Sequence, residues 1–152
     1  MEPTIELDEK IKISYVNYKS VLSNKIKIVC AKINVSYNEI KWIVFDPKLC
    51  SSDGKVPNEL QKIMIGNNGK DYGSCRVSEG KIWISTLSIY EDVKQNNSIN
   101  IVYKSISRQK FERDILADVI MDELAHIFTE SDHGSHEYDS TLELYHNRYY
   151  IK

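Results

Sequence analysis

No stretch of this 152-residue chain approaches the roughly 20 consecutive apolar residues of a membrane-spanning helix, so no membrane partner is expected. The opening decapeptide, MEPTIELDEK, is acidic and lacks the apolar centre of a secretory signal, which predicts a cytoplasmic location. Cysteine is scarce: Cys30, Cys50 and Cys75 are odd in number, widely spaced, and form no C-x-x-C pair. That spacing argues against disulfides and a cysteine-rich zinc knuckle, and leaves three thiols acting as small apolar residues. There is no surplus of positive charge either. A net charge of -2 creates no large basic field, so nucleic-acid binding is not indicated. No repeat, low-complexity tract or linker interrupts the chain. With 41% hydrophobic and 28% charged residues it reads as one domain over residues 1–152, expected to be monomeric.

The residues that are present sort into helical and extended segments. Val16, Val21, Leu22, Ile26, Val29, Cys30 and Ile33 recur at helical spacing and predict a core helix within Tyr15 to Ile33. KWIVFD, from Lys41 to Asp46, is a β-branched and aromatic run stopped by Pro47, the pattern of a buried strand. VPNELQKIMI suggests a short helix with Pro57 in its first turn. Ser74 to Val77 and Lys81 to Ser85, joined by SEG, read as a hairpin, with Ile82 and Ile84 on one face of the second strand and Trp83 on the other. EDVKQNNSIN reads as a polar connection. A long helix is expected from Arg108 to Thr129, with Ser107 as its N-cap and Phe111, Ile115, Val119 and Ile127 at multiples of four. The whole suggests an α+β fold: a small twisted β-sheet, an N-terminal helix packed on it, and a long helix that carries the chemistry.

That chemistry lies in VIMDELAHIFTESDHGSHEYD, Val119 to Asp139. Residues four apart on a helix share a face, so Asp122 and His126 can aim at one cation while Glu123 sits beside it. A third ligand must return from beyond the helix end, and SDHGSH offers both His133 and His136. Gly134 lets the loop turn back and favours His133, whereas His136 suits the first turn of a last helix with Ser135 as N-cap. Three of the four histidines thus fall within eleven residues. The fourth, His146 in ELYHNRYY, reads as a surface or packing residue.

The segment DELAHIFTESDHGSHEYDSTLELY resembles the active-site helix and third-ligand loop of minimal zincin metallopeptidases of the SprT and WLM type, whose pattern is H-E-x-x-H followed by H-G and an aromatic. GSCRVSEGKIWIST is similar to the hairpin that precedes that helix. Glu123, His126, His133 and Gly134 match; Tyr138 stands one residue late, and Asp122 replaces the first histidine. The resemblance covers roughly Gly73 to Tyr145. It implies a zincin-like fold, a Zn²⁺ cofactor held by Asp122, His126 and a loop histidine, and Glu123 as general base in peptide-bond hydrolysis. It also implies a protein or peptide substrate bound as an extended strand beside Lys81 to Ser85, and an oxyanion-stabilising tyrosine among Tyr138, Tyr145, Tyr149 and Tyr150.

Asp122 keeps other readings open. A carboxylate reaches less far than imidazole and adds negative charge, reducing the ion's power to acidify bound water. A catalytically impaired pseudopeptidase that only binds peptides is therefore the alternative. Two histidines and one carboxylate also form the facial triad of iron(II) oxygenases. Asp114, Asp118 and Asp122, spaced by four, would equally form a solvent-facing acidic stripe with no metal.

Overall fold

The computed structural model describes residues 1–7, 15–45, 73–86, 88–89, 97–101 and 109–151. In chain order they form β1 (Thr4–Leu7), α1 (Tyr15–Ile33), β2 (Lys41–Phe45), β3 (Gly73–Arg76), a 3-10 turn (Val77–Glu79), β4 (Lys81–Ser85), β5 (Asn97–Ile101), β6 (Gln109–Arg113), α2 (Ile115–Thr129) and α3 (His136–Tyr150). The class is α+β. Pro57 and its expected helix, Cys50, Pro47 and Ser107 lie outside the described residues.

The larger sheet has the order β1-β2-β4-β3, with β1, β2 and β4 parallel and β3 antiparallel to β4. Its register puts Ile5, Trp42, Ile82 and Cys75 in one row and Leu7, Val44, Ile84 and Gly73 in the next, all on one face. The helices lie against this face. From α1 it receives Leu22, Ile26, Val29, Cys30 and Ile33, a stripe at positions i, i+4, i+7, i+8 and i+11. From α2 come Leu116, Ala117, Ile120, Met121, Leu124 and Ala125, and from α3 Tyr138 and Tyr145. Burial pushes the Cys30 thiol up to about 12, so within this core it behaves as a small apolar group. Trp83 is on the opposite face, as its alternation with the isoleucines predicts, yet it is buried there with Ile43 and Phe45.

Two expectations need correction. The long helix begins seven residues later than predicted, at Ile115, because Gln109–Arg113 pairs with Asn97–Ile101 as a two-stranded sheet. The same pairing turns part of the polar connection into a strand. Asp114 is the cap instead of Ser107: its side chain accepts from the Ala117 amide at 2.9 Å. The second correction concerns β4, which is flanked by β2 and β3 and has no open edge for a peptide. Among the described residues the open edge next to α2 belongs to β3.

α2 and α3 form an antiparallel helical hairpin tied by tyrosine–carboxylate contacts. The Tyr149 and Tyr150 hydroxyls donate to Asp114 and Asp118, and Lys25 of α1 pairs with Asp114 at 2.8 Å. The acidic stripe therefore faces α3 rather than solvent. Arg148 reaches across to donate to the Ile33 carbonyl at 2.8 Å, at the C-terminal end of α1.

His146 is a packing residue of this layer, 3% exposed, with Nε2 4.0 Å from Asp118 Oδ1. Burial lowers its pKa from 6.5 to about 4. The carboxylate is already engaged by Tyr150 and does not outweigh that desolvation. Because the unfolded chain takes up this proton first, stability is complete above pH 6.5 and declines as pH falls toward 4, by about 3 kcal/mol at most. Thermal midpoints between pH 7 and pH 4 should fall less in His146→Gln than in the wild type. Parallel curves would mean that His146 is not the group responsible.

Candidate metal centre

The helix and loop that hold the candidate ligands are fixed by local chemistry. α2 ends at Thr129, Glu130 takes up the left-handed conformation at φ 53°, and the chain reverses. Gly134 also lies in the left-handed region, φ 88°, where a side chain costs about 1–2 kcal/mol. Ser135 caps α3 by accepting from the Tyr138 amide, and its hydroxyl donates to the Asp132 carbonyl at 2.9 Å. The loop is thereby closed on both sides of His133.

This reversal brings Asp122, His126 and His133 together, with one donor atom from each lying within 4.8 Å of the others. His126 Nε2 is 3.2 Å from His133 Nε2, and each nitrogen is 3.8 Å from Asp122 Oδ1. Donors on a tetrahedral zinc, at bonds of roughly 2.0–2.1 Å, stand about 3.3 Å apart, so this triangle matches the size of such a site. The chemistry of the set fits equally well, being two imidazoles and a carboxylate. His126 Nδ1 donates to the Ser131 carbonyl at 2.8 Å, which selects the tautomer with its lone pair on Nε2, toward the other donors.

The environment is graded from core to solvent. The His126 side chain is 11% exposed, Asp122 32% and His133 69%. Burial pushes the Asp122 carboxyl above its usual range, while His133 and His126 pull it the other way. Tyr138, buried in the first turns of α3, lies against all three: its ring stacks on His126 at 4.4 Å, meets the edge of His133 at 4.6 Å, and its hydroxyl donates to Asp122 Oδ1. Geometry thus separates Tyr138 from Tyr145, Tyr149 and Tyr150, which the sequence could not do.

Glu123 follows Asp122 on the helix but turns toward the sheet and is 5% exposed. It lies under β3, where the Cys75 thiol donates to its carboxylate, and burial with that carboxylate raises the thiol's pKa. Gly73 makes the close approach possible. A Cβ there would stand 2.7 Å from Val119 Cγ1, 3.1 Å from the Trp83 carbonyl oxygen and 3.6 Å from Glu123 Cγ. No signal in the sequence pointed to Cys75 or Gly73 as neighbours of the site.

His136 is exposed in the first turn of α3 and does not join the group. His146 is likewise absent from it, one helix layer away with Asp118. No helix among the described residues is long and apolar enough to cross a membrane. Compared with known proteins, the chain matches no family model, no curated protein and no solved structure.

Proposed function

We propose that the chain is a zinc-dependent peptidase of the zincin type, with Asp122, His126 and His133 as ligands and Glu123 as general base. The observation that carries the reading is the convergence of three donors of zinc-ligand chemistry on one point, with the His126 tautomer already set. Zinc, when bound, would supply Lewis acidity, polarising the scissile carbonyl and bringing the pKa of water toward 7. The protein's own groups do the rest. Glu123 takes a proton from the attacking water on a carboxylate oxygen and returns it to the leaving amine. The edge of β3 receives the substrate chain as an added strand through backbone hydrogen bonds, which makes recognition largely independent of side-chain sequence. Two cysteines among the described residues, Cys30 and Cys75, are free thiols, in keeping with an intracellular setting for this activity.

The test combines metal analysis with cleavage of an unfolded protein such as casein. Wild-type chain is expected to bind one zinc and to degrade casein in a chelator-sensitive way. Absence of stoichiometric metal would reject the centre. Zinc without cleavage, with activity appearing only in Asp122→His, would establish the impaired, peptide-binding alternative.

A further inference from the structure

We infer that Tyr138 belongs to the metal centre itself: its phenolic oxygen is the fourth donor, closing at rest the corner that three protein ligands leave open. The inference rests on the reading of Asp122, His126 and His133 as a metal site and adds a ligand that this reading lacks. Three observations carry it. The Tyr138 hydroxyl donates to Asp122 Oδ1, the same oxygen that lies 3.8 Å from both imidazole nitrogens, so its oxygen adjoins the carboxylate member of the group. Its ring is held there by contact with both histidines, stacked on one and edge-on to the other. The side chain is 1% exposed, so the hydroxyl has no bulk water to turn to.

A phenol and a carboxylate sharing a proton stand closer together than two oxygens on one cation, so ligation must draw them apart. Binding the ion replaces that proton, which leaves to solvent, and the phenolate and carboxylate oxygens then both face the metal. The resulting set has two nitrogen and two oxygen donors and carries two negative charges, a composition that suits harder ions better than a three-histidine site does. A closed resting centre of this kind must release the Tyr138 oxygen before substrate can enter. That release would make Tyr138 a determinant of turnover as well as of affinity.

Copper(II) is the probe, because a phenolate on copper gives a visible charge-transfer absorption that imidazole and carboxylate ligands do not. The full-length chain is titrated with copper(II) alone beside Tyr138→Phe, which keeps the ring contacts and removes only the oxygen, and beside His126→Ala. The expected result is one copper per chain, a charge-transfer band in the wild type, and loss of that band in both variants, with copper still bound by Tyr138→Phe. Stoichiometric copper without the band in the wild type would overturn the inference and leave the three-ligand site standing. So would a band that persists in Tyr138→Phe. A chain that binds neither copper nor zinc removes both this inference and the peptidase reading. Should Tyr138→Phe fail to fold, resonance Raman of the wild-type complex decides: phenolate ring modes support ligation, and their absence excludes it.

Discussion

In Glu123→Gln, casein cleavage is expected to fall by about 10²–10⁴-fold while the zinc content stays at the wild-type level. The two halves of this result have separate causes. Glutamine has nearly the shape of glutamate, so it preserves the packing beneath Gly73 and still offers an oxygen to the Cys75 thiol. What it lacks is basicity, and a proton acceptor beside the attacking water is the one function assigned to this side chain. Metal retention is expected because Glu123 is outside the ligand group. Initial rates on a fluorescent casein, with metal measured on the same samples, check both halves. Unchanged cleavage would reduce Glu123 to a packing residue that anchors β3 on α2.

The ligand substitutions divide just as sharply. His126→Ala and His133→Ala are each expected to lose more zinc affinity than the roughly 10–100-fold typical of an outer-shell change, and His136→Ala to keep wild-type affinity. His133 is the cleaner of the two tests, because its side chain is 69% exposed and its removal leaves little cavity. His126 is buried and stacked on Tyr138, so its loss also costs stability, and circular dichroism must accompany the measurement. Competition against a chromophoric chelator reads the affinities directly. If His136→Ala lost zinc and His133→Ala kept it, the ligand assignment from the loop would be reversed.

Much of this arrangement was legible in the residues, and the reasons for success and failure are physical. α1 was readable because Leu22, Ile26, Val29, Cys30 and Ile33 face one way, and the hairpin because turn residues bracket two extended runs. Ser135 announced the start of α3, which placed His136 in a first turn and left His133 in the loop. The stripe on α2 was read only in part. Ile115 is buried and Val119 and Ile127 are half-buried, but they form only the margin of the buried face: the fully buried rows are Leu116, Ile120 and Leu124 with Ala117, Met121 and Ala125, since this helix is covered by the sheet and by both other helices. Gln109–Arg113 has the charged composition of an exposed helix and forms a strand only because Asn97–Ile101 is there to pair with it. Strand order was hidden for the same reason: nothing local in Lys81–Ser85 tells that β2 occupies its second edge. Around the site, sequence spacing pointed to the donors but not to their surroundings. Tyr138, Cys75 and Gly73 acquire meaning only from the return of α3 and from the edge strand.

The three donor residues lie within a dozen positions of one another, on a helical hairpin closed by a six-residue reversal. Contacts of such short loop length form early and fast in folding. The partner of Glu123, by contrast, arrives from Cys75, dozens of residues upstream, and must wait for the sheet to be laid down. A nascent or partly denatured chain should therefore capture its cation before it can turn over any substrate. Mild denaturant is expected to extinguish catalysis while the ion is still held.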